Sequence, residues 1–180
     1  RMVAAVGAAI GPRTRLAVLD HVASHGAVVM PIARLIALCH EHGVPVLVDG
    51  AHAPGMLDLD IAALDPDWYV GNAHKWLYAP KGCGLLCARA DRRADLHPAV
   101  ISNQFDQGYT AEFDWTGTRD PSAWLTVTEA LDFFRDPGVG AARRDMRALA
   151  NHAAAAAGAP WGPARRAAPA RAGRRGGGPG

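Results

Sequence analysis

The sequence has 180 residues, 49% hydrophobic and 20% charged, the proportions of a globular chain long enough to bury one core. Its formal net charge of +2 is misleading: residues 161–180 hold Arg165, Arg166, Arg171, Arg174 and Arg175 and no acid, and without these five, 14 basic residues face 17 acidic ones, a net of −3 for residues 1–160. That balance argues against a nucleic-acid surface on the folded part, and no apolar run approaches the ~20 residues of a membrane helix.

In chain order, RMVAAVGAAIGPR (1–13) reads as the end of a helix. Its apolar stretch is too short, and too soon followed by Pro12 and Arg13, for a signal peptide. RLAVLDHV (15–22) reads as a buried strand. MPIARLIALCHEHG (30–43) reads as a helix, with Pro31 in its first turn, apolar residues at helical spacing and Gly43 capping its end. The valine-rich VPVLVD (44–49) is a second buried strand, and the three together make a βαβ unit with a parallel crossover. MLDLDIAAL (56–64) predicts a short helix, DWYVGN (67–72) and GCGLLCA (82–88) two more strands, and residues 121–134 and 138–156 two more helices. The expected fold class is α/β, with a mostly parallel sheet flanked by helices.

From about Ala157 the composition turns to Gly, Ala, Pro and Arg. The expected organisation is a domain over 1–156 and a low-complexity, disordered tail over 157–180, which a reading-frame change in a GC-rich gene would explain. Cys39, Cys83 and Cys87 are an odd and sparse set, suiting a reducing cytoplasm rather than a disulfide framework. Cys83 and Cys87 read as buried structural thiols. No metal site is expected: the cysteine spacing is wrong for zinc, and His40 and His42, two apart on a helix, diverge.

The chemistry concentrates where strands end. In open α/β sheets ligands bind beyond the carboxyl ends of the strands. Asp49 ends its strand, and Gly50 permits close approach of a ligand or backbone. His52 follows in the loop, and Lys75 follows the next strand. Only Lys75 and Lys81 are lysines in an otherwise arginine-using chain. A lysine amine forms a Schiff base with a carbonyl, which guanidinium does not. Pyridoxal phosphate requires such a lysine, and a carboxylate opposite its ring nitrogen. On spacing alone, a solvent-facing loop lysine fits equally well. A plain nucleotide-binding module does not fit, since no GxGxxG or GxxxxGK[ST] occurs.

VPVLVDGAHAPG followed by GNAHKWLYAPKGCGLL resembles the class V aminotransferase family of fold-type I pyridoxal-phosphate enzymes, and most nearly its isopenicillin N epimerase-like branch. RLAVLDHVAS upstream and FDWTGTRDPSAWL downstream fit the same branch, so the resemblance spans roughly residues 2–150. It implies a partial large domain of the aspartate aminotransferase-like fold, acting on an amino acid or amino-acid-like amine. Lys75 would carry the cofactor as a Schiff base and later act as base at Cα. Asp49 would pair with the ring nitrogen, and His52 would contact the ring hydroxyl or stack nearby. Asn72 and His74 would meet the phosphate. Thr118 would reach the phosphate of the partner subunit's cofactor, which implies a homodimer with shared sites.

Ser24 would approach the ring, although DHVASHGAVVMP departs from the Ser-Pro-Thr type of turn usual there. Local readings stand beside these roles: His52 as a loop histidine, His74 as packing, Asn72 as a turn residue, Thr118 as a cap, and Arg119 paired with Asp120 or binding a substrate carboxylate. The alternatives to epimerase-like chemistry are an aminotransferase, a cysteine desulfurase-like enzyme, and a truncated or frameshifted fragment without activity. The last rests on the family's phosphate-gripping loop and ring-stacking aromatic having no counterpart before Arg15.

Overall fold

Four strands form one sheet in chain order: β1 (Ala17–Asp20), β2 (Val46–Gly50), β3 (Trp68–Asn72) and β4 (Gly84–Ala88). The computed structural model describes residues 1–136 and 138–161. β1, β2 and β3 are parallel, in a register that sets Leu19 beside Val48 and Asp49 beside Val70. β4 runs antiparallel to β3, with Asn72 opposite Gly84.

The crossover between β1 and β2 is α2 (Ile32–Glu41). It buries Ile32, Leu35, Ile36 and Cys39, the spacing of one face of a 3.6-residue helix. Pro31 is its N-cap rather than part of its first turn. At its other end Gly43 has φ +66°. The Gly43 N–H donates to the His40 carbonyl at 2.9 Å and the Val44 N–H to the Cys39 carbonyl at 2.9 Å, the paired bonds of a Schellman ending. The chain thus turns directly from α2 into β2.

The two faces of the sheet differ. Ala17, Leu19, Val46, Val48 and Tyr69 look toward α2, and Ile32, Ile36, Cys39, Val44 and Ala53 join them in the main core. Val6 of α1 (Met2–Ala9) and Ile10 after it pack against this cluster. On the other face Val18 is 60% exposed, and Leu47, Asp49 and Val70 are only half-buried. By strand alternation Asp49 and Asn72 stand on that more open face.

At the amino end of β3 the fully buried Asp67 accepts from the Val46 N–H at 2.7 Å, Arg92 Nε at 2.7 Å, His40 Nε2 at 2.9 Å and the Arg89 guanidinium at 2.9 Å. One carboxylate therefore ties β3 to α2, β2 and the 3-10 turn Ala90–Arg92. Burial alone would raise its pKa. The Val46 N–H, His40, Arg92 and Arg89 outweigh burial and hold it below the ordinary carboxylate range.

Three elements differ from the expectation. The helix predicted over 56–64 is only α3 (Ile61–Leu64), because Asp60 takes an extended backbone and its carboxylate caps the Ala63 N–H at 2.9 Å. A further helix, α4 (Tyr109–Asp114), lies where none was predicted, and its Tyr109 hydroxyl donates to the Leu86 carbonyl at 3.2 Å. The helix predicted over 121–134 is divided into α5 (Ser122–Leu125) and α6 (Val127–Arg135). Cys83 is buried as expected, whereas Cys87 is exposed on β4.

Residues Arg1–Arg143 form one compact unit, and a second begins at Arg144. The last helix, α7 (Val139–Trp161), runs into the stretch expected to be a disordered tail. The rest of that stretch, 162–180, lies outside the described residues. Among the described residues no helix is long and apolar enough to cross a membrane, and no cluster of His, Cys, Asp or Glu is placed to hold a metal.

Candidate functional site

Because β1, β2 and β3 are parallel, Asp20, Gly50 and Asn72 end at one edge of the sheet, the edge at which such sheets bind ligands. Beyond β2 the chain turns at once. The Ala51 N–H donates to Asp49 Oδ1 at 2.9 Å, and the Ala53 N–H to the Gly50 carbonyl at 2.9 Å. This Asx-type turn fixes the Asp49 carboxylate beside its own backbone while leaving it half-buried.

Gly55 joins this turn to the loop after β3. It has φ +86°, and a Cβ there would lie 2.3 Å from the Trp76 carbonyl oxygen. Only glycine allows both the dihedral and the backbone-to-backbone approach. The second loop is closed by the Ala79 N–H on the Ala73 carbonyl at 3.1 Å and the Ala73 N–H on the Cys83 carbonyl at 3.2 Å.

Two of the expected site residues consequently meet. Lys75 Nζ donates to His52 Nε2 at 3.2 Å, and both side chains are half-buried. Asn72 ends β3 on the Asp49 face and is half-buried. His74, next to Lys75, has a buried Nδ1 with no hydrogen-bond partner among the described residues, as do the indole nitrogens of Trp68 and Trp76.

Ser24 and Thr118 are exposed, and no hydrogen bond among the described residues joins either to this group. Ser24 sits in a turn closed by the Ala23 N–H on the Val28 carbonyl at 2.9 Å and a bridge between Val22 and Val29. Thr118 follows Gly117, which has φ +110°. The expected pair of Arg119 with Asp120 does not form. Arg119 lies over the Trp124 ring at 3.9 Å, and Asp120 accepts from the Ser122 N–H at 2.9 Å, just before α5, whose N-cap is Pro121.

Sequence reasoning missed His21, Tyr69 and the purpose of Gly50. Tyr69 is fully buried, and its Oη lies 2.9 Å from His21 Nδ1. Burial pushes the His21 pKa down. Burial first, then the charges of Asp49 and Cys87, push the Tyr69 phenol well up. Both directions favour the neutral forms, so the hydrogen bond joins a neutral phenol to a neutral imidazole. A Cβ on Gly50 would meet the Tyr69 ring at 2.2 Å, so the close approach at Gly50 is made by this ring, not by a ligand or backbone. The available signal was a tyrosine at an inward strand position, since a buried phenol needs a partner.

The family model for aminotransferase class-V matches residues 2–157. Isopenicillin N epimerase of Streptomyces clavuligerus is 39% identical over 83% of this chain and 42% of its own length. A probable chloroplastic L-cysteine desulfhydrase of Arabidopsis thaliana is 44% identical over 71% of this chain and 28% of its own. The chain thus spans less than half the length of these curated relatives. Among solved structures, a C-DES mutant with glycine covalently linked to its PLP cofactor superposes with a TM-score of 0.70 at 26% identity, over 79% of this chain and 41% of that one. The chain belongs to the class-V aminotransferase family, it has that family's mostly parallel α/β fold, and the cofactor of the family is pyridoxal 5′-phosphate.

Proposed function

We propose that this chain supplies the cofactor-anchoring part of an enzyme acting on an amino acid or amino-acid-like amine, with isopenicillin N epimerase-like chemistry. The observation that carries the reading is the meeting of Lys75 and His52 at 3.2 Å, on the strand edge that also bears Asp49. The donor set suits pyridoxal phosphate: a primary amine for its aldehyde, a carboxylate for its ring nitrogen, and polar groups near the amine for its phosphate. The unpartnered buried Nδ1 of His74 is a group of the last kind, and Asn72 is a second.

When bound, the cofactor supplies an electron-withdrawing ring that acidifies the Cα–H of an attached amine. The residues do the rest. Lys75 is the anchoring amine. With a substrate amine held in its place, Lys75 would be the free base available to take the Cα proton. Asp49 would favour a proton on the ring nitrogen of the bound cofactor. His52 accepts from Lys75 and so orients the lysine before the cofactor arrives. Ser24 would approach the ring from the turn after β1.

Return of the proton to the opposite face of Cα would invert the substrate. A second reading, elimination from cysteine, is favoured by the 44% identity to the desulfhydrase-named relative. Both begin with the same proton removal by Lys75 and part only at Cβ. Transamination would instead return the proton to the cofactor. We further propose a homodimer, in which exposed Thr118 reaches the partner's phosphate site, and a reducing, cytoplasmic setting in keeping with three free thiols.

The test is to titrate the purified chain with pyridoxal phosphate and follow visible absorbance, with Lys75→Ala as control. A saturable band lost in the variant supports the reading. No band with the wild-type chain, folded by far-UV circular dichroism, refutes it. Loss of optical rotation from an L-amino acid, against sulfide release from L-cysteine, then separates the two chemistries.

A further inference from the structure

Three features lie together beneath the candidate site. Tyr69, in β3, reaches across β2 to His21, just past the end of β1, with 2.9 Å between Oη and Nδ1. The strand it crosses has Gly50 at that point, where a Cβ would sit 2.2 Å from the phenol ring. The residue before Gly50 is Asp49, whose carbonyl accepts from the His21 N–H at 2.8 Å. Both members of the pair are almost fully buried, His21 at 8% and Tyr69 at 0% exposure, on the face of the sheet opposite the Asp49 side chain.

We infer that Tyr69 and His21 are positioning residues for Asp49: their hydrogen bond, passing over Gly50, ties the body of β3 to the residue just past β1 across β2 and holds the Asp49 carboxylate at its station. The inference rests on the reading of Asp49 as the partner of the cofactor's ring nitrogen.

Strand ends fray, because the last ladder bonds have no neighbour beyond them. A carboxylate that must face a ring nitrogen at hydrogen-bond distance tolerates little displacement. Backbone bonding fixes the Asp49 carbonyl through His21, and the Ala51 N–H fixes its Oδ1 at 2.9 Å. The pair beneath adds what the ladder lacks, a side-chain tie between strands that are not neighbours. With both partners almost fully buried, its hydrogen bond is shielded from water. Burial disfavours both phenolate and imidazolium, so the bond joins two neutral groups. Gly50 is the space the tie requires.

The experiment compares the wild-type chain with Tyr69→Phe and His21→Asn, the latter keeping an acceptor near the place of Nδ1. Two readouts are taken. The first is hydrogen exchange at the Ala51 amide in the cofactor-free chain, relative to a core amide such as Val48. The second is the dissociation constant for pyridoxal phosphate from the Lys75-dependent band. The expected result is that Tyr69→Phe speeds Ala51 exchange several-fold while Val48 is unchanged, and weakens the cofactor about tenfold, the scale of one lost hydrogen bond, and that His21→Asn recovers most of both.

Unchanged Ala51 exchange in Tyr69→Phe overturns the inference, and so does equal acceleration at Ala51 and Val48, which is plain destabilisation. If the wild-type chain shows no Lys75-dependent band, the functional reading fails by itself, while the exchange ratio still decides whether the tie holds Asp49.

Discussion

Lys75 Nζ and His52 Nε2 stand 3.2 Å apart although the residues belong to two different loops. The contact exists because β2 and β3 end side by side and Gly55 lets the two loops touch backbone to backbone. Truncating His52 to alanine removes the acceptor and leaves the lysine free to rotate. The expected outcome is cofactor affinity weaker by roughly tenfold, the scale of a hydrogen bond to a charged donor. Fold stability should change by no more than about 0.5 kcal/mol, as for other substitutions outside the core. Absorbance titration and urea unfolding check the two halves separately.

Gly55→Ala should be far more damaging than its size suggests. The added methyl meets the Trp76 carbonyl oxygen at 2.3 Å, at a residue with φ +86°. Both the strain and the clash must be relieved by parting the two loops, at an expected cost of about 1–3 kcal/mol. Since the loops carry His52 and Lys75, the variant should lose cofactor affinity even where it remains folded. The urea midpoint and the absorbance titration, made on the same sample, check this.

How much of this was legible in the sequence depends on what kind of information placed each residue. α2 was legible because Ile32, Leu35, Ile36 and Cys39 repeat at helical spacing and Gly43 supplies the left-handed ending. Asp49 and Lys75 were legible because each follows a short apolar strand, and parallel strands bring such positions to one edge. The direction of β4 was not, since the run GCGLLCA buries equally well either way; the short connection from Asn72 to Gly84 makes it antiparallel. The helix over 56–64 was overdrawn because Leu57 reaches the core from a bend, and with Ile61 and Leu64 it imitates helical spacing. The Tyr69–His21 tie spans three strands, and only the three-dimensional register creates it.

Asp67 gives an acid-sensitive prediction. Its carboxyl is held below the ordinary range by its donors, so the stability it contributes is present above the unfolded carboxylate value near 3.9 and is lost as pH falls through the lower folded value. Asp67→Ala leaves Arg89, Arg92 and the Val46 N–H without their shared acceptor and should cost about 3–5 kcal/mol. Urea midpoints measured through the acid range should fall steeply for the wild type, and less steeply for the variant.

His97 behaves in the opposite sense. Its Nδ1 lies 2.7 Å from an oxygen of the buried Glu112, and that hydrogen bond, with the nearby acids, raises the imidazole pKa. The charged pair is therefore fully present below the ordinary histidine value of about 6.5 and is lost as pH rises through the higher folded value. An NMR titration should find the His97 resonance titrating above that ordinary value. In Glu112→Gln it should return toward it.

The central claim is that Lys75 is the anchoring amine, and the sequence makes it unusually easy to test, since Lys75 and Lys81 are its only lysines. The most direct measurement is to incubate the chain with pyridoxal phosphate, fix the adduct with borohydride, and locate the added mass by peptide sequencing in a mass spectrometer. The account predicts the label on Lys75 at close to one per chain, with Lys81 unmodified. A label on Lys81, or one spread equally over both lysines, would contradict it.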